Sequence, residues 1–437
     1  MGLVFTNRLI ASVAGWVIFG GILFSVLAGA GYSGLRDLAG TGFWIAGILL
    51  ATRLQRLQRV QTALMLLVGV SGIVFAATLG LAADWSQILA ANSALIAMLA
   101  SVSFLRLISL PSASPDERDP VGPGALIRTL LGVHLFGAVI NLSAVMILGD
   151  RQTRRAAMTP LQAAALSRGF ALASHWSPFF AAMGIALSHA PGARLPVLSM
   201  VGLPLAVFGL AFSAWQLTRR PGIDRYIGYP MHFAALWIPA LLAMVVLGTH
   251  QTVPKLPVLT VISISALTLT FMVLLWRERL AATAACTDHI CRGLPTMSGE
   301  LALFLAAGVL GAGIGAVIES SGWTVALAGF GAIEAWLLLL LMTGLAIGGV
   351  HPVISIATAQ GVLAPLAPDP NLLGITYLMA WGVGVAISPF SGMHLGMQGR
   401  FGIDARGFLR WNGSFTLVML LIHGLALLAY QRFALSG

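Results

Sequence analysis

Two apolar segments of this chain are interrupted by a histidine, a hydroxyl and a proline close together. The first reads Ala173-Ser174-His175-Trp176-Ser177-Pro178-Phe179-Phe180, and the second Gly348-Gly349-Val350-His351-Pro352-Val353-Ile354-Ser355. A proline removes one helix hydrogen bond and frees carbonyls in the preceding turn. An imidazole at membrane depth can donate to an anion or titrate near neutral pH. The alternative is that each imidazole only bonds a carbonyl freed by its neighbouring proline. Half-helix N-termini attract anions, and unwound carbonyls and hydroxyls can hold sodium. The substrate candidates are therefore His175, Ser177, His351, Ser355 and Thr358, joined by Asn141 and Ser143 for the reason given below. The cation candidates are Ser177, Pro178, Pro352 and Ser355. The competing role for these hydroxyls is hydrogen bonding between helices.

A third interruption, Ser388-Pro389-Phe390-Ser391-Gly392, precedes His394; it is read as the end of a helix rather than as cavity lining. Arg168 is the one cation placed inside a span, where it could pair with a carboxylate; the favoured expectation is that it reaches back to the membrane surface along its aliphatic stem. Glu319 and Glu334 are two further candidates for a proton or cation site. Cys286 and Cys291 have no usual zinc spacing, and no metal is expected. There is no GxxxxGK[ST] loop and no HExxH motif, which removes ATP hydrolysis and zinc proteolysis. No cofactor is expected beyond a coupling ion such as sodium.

The elements that must position these residues are membrane helices. The chain has 437 residues, 58% hydrophobic and only 9% charged, with a mean hydropathy of +0.93. Soluble domains carry about 25% charged residues. The net charge of +10 is spread over short loops, which is an orientation signal and not a nucleic-acid footprint. Candidate spans are 8–30, 38–52, 60–82, 87–106, 125–148, 167–190, 196–218, 228–249, 256–276, 300–320, 323–348, 350–367, 371–390 and 411–431. The segment 125–148 has Arg128 at one end and Arg151, Arg154 and Arg155 at the other. Placing both ends in the cytoplasm makes it a re-entrant hairpin with its tip near Asn141-Leu142-Ser143, a place to touch substrate. The alternative is an ordinary span.

With a matching hairpin at 323–348, the halves 38–218 and 219–390 form an inverted-topology repeat, in which a shift of 174 places Pro178 on Pro352. Residues 1–37 and 391–437 then supply one extra helix at each end. This scheme puts Arg400, Arg406 and Arg410 outside; if 323–348 crosses fully instead, they lie inside and the inverted symmetry fails. The fold class expected is an all-α polytopic membrane protein with about 11–12 transmembrane helices and two re-entrant hairpins.

The order of spans, hairpin, broken helix and span, with the Ser177-Pro178 and His351-Pro352 breaks, resembles the ion transporter superfamily. That group includes divalent anion–sodium symporters, arsenite permeases and TRAP membrane subunits. The Ser-Asn-Thr signature of the symporters is missing at both hairpins; Asn141-Leu142-Ser143 is reminiscent of it. The resemblance implies a secondary transporter of a small organic or inorganic anion, coupled to sodium or protons, with elevator-like alternating access. It also implies a place in the bacterial inner membrane and allows a homodimer. The rival readings are a membrane-embedded glycan- or lipid-modifying enzyme, and a channel or structural subunit.

Overall fold

The computed structural model describes residues 2–108, 118–154, 156–231, 237–253, 255–279, 281–323, 327 and 329–435. Parts of three stretches lie outside them: 111–117 of the polar stretch 111–124, which is expected to be a linker and carries Asp116 and Glu117, 232–236 of the span 228–249, and 324–326 and 328 of the hairpin 323–348.

Lipid leaves backbone groups no partner outside the protein, so an apolar chain closes its own hydrogen bonds as helices. The described helices are α1 (Gly2–Gly29), α2 (Arg36–Leu50), α3 (Arg56–Thr78), α4 (Trp85–Ala90), α5 (Ser93–Ser103), α6 (Pro123–Ile140), α7 (Leu142–Gln152), α8 (Pro160–Ala173), α9 (Ala181–His189) and α10 (Leu195–Leu217). They continue with α11 (Trp237–Thr252), α12 (Val258–Glu278), α13 (Ala281–Asp288), α14 (Ser298–Ser321), α15 (Ala332–Ile347), α16 (Pro352–Leu363), α17 (Pro370–Ile387), α18 (Gly392–Phe401) and α19 (Gly407–Tyr430). Among the described residues there is no strand beyond one isolated bridge, Val121 to Ile227. The protein is all-α. Nine helical stretches among the described residues are long and apolar enough to cross a membrane, while Ala332–Ile347 and Pro352–Leu366 are apolar but shorter. The expected 11–12 crossings counted 38–52, 167–190 and 350–367 as spans; the first and last are helices of 15 and 12 residues, and the middle one is broken.

The chain divides into two compact units. Unit 1 is 1–108, 241–326 and 356–367; unit 2 is 109–240, 327–355 and 368–437. These units cut across the divisions 1–37, 38–218, 219–390 and 391–437, because each unit draws helices from both halves of the sequence. In unit 1, α3 crosses α14 so closely that a Cβ on Gly72 would lie 2.6 Å from the Gly313 carbonyl oxygen. Small residues permit this approach where lipid supplies no hydrophobic drive between helices. Cys286 and Cys291 of unit 1 are free thiols in a helical stretch.

Unit 2 is arranged around α17, which is buried almost along its whole length and packs with α8, α9, α10, α15 and α19. α19 is thus no appendage: its Asn412 and His423 are fully buried. α6 and α7 fold back on each other at a single residue, Asn141 (φ 51°, ψ −138°). A Cβ at Gly132 would sit 3.7 Å from Leu148, and Arg151 pairs with Asp119 at 2.8 Å. The outer ends of the two arms therefore meet. Ser143 belongs to the first turn of α7 and not to the tip.

Two expectations fail here. Residues 332–347 are one unbroken helix, so 323–348 is no two-armed hairpin among the described residues. Past the Glu334 cap nothing polar or glycine-rich interrupts 335–342, and the reversal waits for Gly348-Gly349, where Gly349 takes φ +96°. Arg400 forms two bonds to Asp150, at 2.6 and 2.7 Å, which places it at the same end of unit 2 as Arg151 and Asp119. The assignment of Arg400 to the opposite face is therefore overturned: a charged pair at a helix end outweighs a count of crossings.

Candidate functional site

The first break begins from α8. Thr159 caps that helix by accepting from Gln162 N at 3.2 Å, while the Gln162 side chain accepts from Thr159 N at 2.9 Å, and Pro160 fits the first turn. Starting there, α8 reaches Ser174 before Pro178 stops it. Ser177 then shapes the interruption. Its hydroxyl donates to the Ala138 carbonyl and accepts from Phe179 N at 3.2 Å. Asn141 at the α6–α7 turn donates to the Phe179 carbonyl at 3.1 Å, and Ser199 donates to the Trp176 carbonyl at 2.8 Å. The structure thus brings Asn141, Ser177 and Pro178 together. Ser143 is half-buried and has no hydrogen bond to this break among the described residues.

The local geometry of Ser177-Pro178-Phe179 recurs at Ser388-Pro389-Phe390, where Phe390 N again donates to the serine hydroxyl at 3.2 Å. The shift between the two is 211, so the counterpart of Pro178 is Pro389 and not Pro352. Ser388-Pro389 does end α17, but Ser391 at once caps α18 by accepting from His394 N at 3.2 Å. α17 and α18 are therefore a second broken helix. The repeated Ser-Pro-Phe tripeptide is the sequence signal for this pairing, a better marker of it than the histidines. A Cβ at Gly349, in the turn between α15 and α16, would lie 3.2 Å from the Phe390 ring. Each break is met by a chain reversal, Asn141 at one and Gly349 at the other.

The two broken helices run antiparallel in unit 2. A Cβ at Gly382 would collide with His175 and Ser174, and Ser167 meets His394 Nε2 at 2.8 Å. Between the breaks lies a buried polar chain. His394 Nδ1 faces the Ser388 carbonyl at 2.7 Å, and Asn412 donates to Ser167 (3.1 Å) and to the Ala386 carbonyl (2.7 Å). Arg168 is fully buried and does not reach the surface as expected. Its guanidinium is held by Asn412 Oδ1 (2.9 Å), Gln216 Oε1 (2.7 Å) and the Trp411 carbonyl (2.6 Å), with its carbon 4.9 Å from the Phe415 centroid. His175 and His423 share an Nε2 to Nε2 contact of 3.1 Å. Arg168, Asn412, His394 and His423 are residues that the search around the two breaks undervalued or missed. A lone polar group inside an apolar run, as in Leu421-Ile422-His423-Gly424, was the available signal for His423.

His351 stands at the start of α16. Val353 N donates to its Nδ1 at 3.3 Å, so its other nitrogen carries the proton, and that N–H has no partner among the described residues. Its ring meets Trp381 edge-on at 5.6 Å, and Pro352 lies 3.7 Å from a Cβ at Gly384. Trp381, Gly382 and Gly384 of α17 thus receive His351, His175 and Pro352. Ser355 turns its hydroxyl onto the Pro352 carbonyl at 3.0 Å. Thr358 lies three residues after Ser355 on the same helix α16, and the division between the two units falls between them. Ser177 and Ser355 both point their protons at carbonyls, which leaves only lone pairs for a cation. Among the described residues no three His, Cys, Asp or Glu side chains gather as a metal site. Glu334 is a helix cap, accepting from Gly331 N at 2.9 Å.

The described carboxylates of unit 2 all sit at helix ends or in loops: Asp119, Asp150, Asp224, Glu334, Asp369 and Asp404. The interior of the unit holds Arg168 and the imidazoles of His134, His175, His394 and His423 with no acid among them. At the end of the unit that carries Arg400, a cavity of about 580 Å³ is lined by Arg220, Arg225, Gln152, Tyr226 and Trp411 among others.

No family model and no curated protein matches this chain. Among solved structures, the chain is similar to the YdaH transporter of Alcanivorax borkumensis, described as having an unusual topology. The identity is 14%, over 85% of this chain and 98% of that one, with a TM-score of 0.43. A likeness of that size settles neither family nor activity.

Proposed function

We propose that the protein is a secondary transporter of a small organic or inorganic anion in a bacterial inner membrane, with the binding site in unit 2. The observation that carries this reading is the recurrence of one Ser-Pro-Phe break in two antiparallel helices, each met by a chain reversal. Paired interruptions of this kind are where carriers bind their cargo. Sign comes from the surroundings: an interior with a guanidinium and imidazoles but no carboxylate favours a negative guest. His351 offers an unused N–H beside the N-terminus of α16, where the helix dipole also favours an anion. The proposed anion donors are His351 and Ser388, while Asn141 and Ser177, whose protons are held by the Phe179 and Ala138 carbonyls, shape the first break beside them. Elevator-like access, the inverted repeat, the re-entrant placement of α6 and α7, and a homodimer belong to the same proposal.

The test is uptake of labelled acetate, succinate, benzoate and phosphate by proteoliposomes. A carrier gives saturable flux for at least one of them. Flux that rises linearly with concentration indicates a channel, and absence of flux with all four leaves the enzymatic or structural readings. Topology is tested separately, with Cys286 and Cys291 replaced by serine and single cysteines at Arg118 or Thr153. Both must label from the same side; opposite sides would make 123–152 an ordinary span.

A further inference from the structure

We propose that the His175–His423 pair is the proton-binding site of this carrier, loading at Nδ1 of His423, with the bound anion as its counter-charge. The claim deepens the anion-carrier reading and rests on it for the counter-charge alone.

The hydrogen-bond directions can be worked out from one end of the pair. Ser174 sends its hydroxyl proton to the Ala171 carbonyl at 2.7 Å. Its oxygen, 3.5 Å from His175 Nδ1, turns only lone pairs toward that nitrogen, and we assign the His175 proton there. In a neutral His175 the Nε2 is a bare lone pair. It faces His423 Nε2 at 3.1 Å, and two lone pairs cannot face each other, so His423 Nε2 is the donor. The remaining nitrogen, His423 Nδ1, is then a bare acceptor. It is buried, and no hydrogen-bond partner reaches it. A buried base left without a donor is an unusual expense, and the one thing it accepts without rearrangement is a proton.

The resulting imidazolium would have no carboxylate beside it. The titratable and charged groups on the helices of unit 2 are Arg128 and His134 on α6, Asp150 and Arg151 on α7, Arg168 on α8, His189 on α9, Glu334 on α15, Tyr377 on α17, His394 and Arg400 on α18, and Arg410 and Tyr430 on α19; α10 has none. His134 is occupied by the Gly169 carbonyl (3.1 Å) and by the Trp176 indole (3.1 Å). Glu334 and Asp369 lie toward the far end of α19, where Gln431 caps Ala332 N and Tyr430 bonds Asp369. That end is about 12 Å along the helix from His423. A proton here and an anion between the breaks are therefore each uncompensated alone and mutually neutralising together. His175 abuts Gly382, next to Trp381, which carries His351, so the two charges would share one stretch of α17. Each favours the other's binding by the same factor, as linkage requires. That is the thermodynamic content of proton–anion symport.

The experiment is a pH titration of the full chain in lipid vesicles by 15N NMR with labelled histidine, alone and with acetate, succinate, benzoate or phosphate. The bare His423 nitrogen should be present at pH 8, vanish in His423→Gln, and take its proton at a pH raised by about one unit or more in the presence of a bound anion. His423→Gln keeps an amide facing His175, so it removes the loading nitrogen without removing the contact. The inference is overturned by any of three results. The nitrogen is already protonated at pH 8; it stays bare to pH 5 with every probe; or its titration ignores all four anions. Proteoliposome flux separates this from the carrier reading. Saturable flux in His423→Gln with an unchanged pH profile sinks the proton site alone. Absence of saturable flux in the natural chain, with the titration behaving as stated, sinks the carrier reading and leaves the proton site standing.

Discussion

The two Ser-Pro-Phe breaks share a turn and differ in what closes them. At the first, three polar groups of the interruption have partners on other helices or turns: Ser177 binds the end of α6, Asn141 takes the Phe179 carbonyl, and Ser199 takes the Trp176 carbonyl. At the second, Phe390 is 45% exposed with its ring against the Gly349 turn, and the Ser388 hydroxyl proton has no acceptor among the described residues. Hydrogen bonds are directional and costly to leave unmade when buried, while apolar contact is neither. The first break is therefore a fixed joint. The second keeps one hydroxyl donor unused, the donor that the proposed carrier would turn to its anion.

The largest effect that would break this comparison lies on α17. Gly382→Leu forces a side chain into His175 and Ser174 and should lower stability toward the upper end of the ~1–3 kcal/mol typical of overpacking. Gly384→Ala, whose Cβ finds Ala346 at 3.2 Å and Pro352 at 3.7 Å, should shift stability far less. Thermal midpoints in detergent compare them, and equal shifts would mean that the two breaks are equally rigid.

A second pair separates binding from folding. Ser177→Ala strips the Ala138 carbonyl of its donor and should cost about 1–3 kcal/mol of stability. Ser388→Ala should leave the midpoint nearly unchanged while weakening anion binding by roughly tenfold, the worth of one hydrogen bond to a charged group. Midpoint and half-saturating concentration are measured on both. The reverse pattern would make the first break the binding face.

The smallest effect is at Asn141. Asn141→Gly loses the bond to Phe179 but relaxes a positive φ, so it should be close to neutral. Asn141→Ala loses the bond and keeps the strain, for a cost of about 1 kcal/mol or more. Chemical denaturation of the two variants tests the order, and a more stable Ala variant would show that the turn is not strained.

Much of this molecule was legible as sequence. Membrane residence follows from composition, because a chain with 9% charged residues cannot cover a soluble surface. The fold-back at Asn141 was readable from arginines on both flanks of 125–148. The interruptions followed from proline, which cannot complete a helix hydrogen bond. Equivalence between the interruptions was not readable from the histidines: His351 drew Pro352 into a pairing that belongs to Pro389, because a side chain of functional type is a weaker marker than a backbone turn. The single helix 332–347 was also misread, since crossing number depends on which helices share a core and not on hydropathy alone.

Composition, proline and flanking charge act through neighbours in the chain, so the sequence by itself determined the helical membrane class and the points where helices stop. Only tertiary structure decided that His175 meets His423, that Arg168 is enclosed by α10 and α19 instead of reaching the surface, and that both histidine segments lie against Trp381–Gly384. Helical periodicity names the face that each helix buries; which helix covers that face is settled by the long-range fit of side chains around α17.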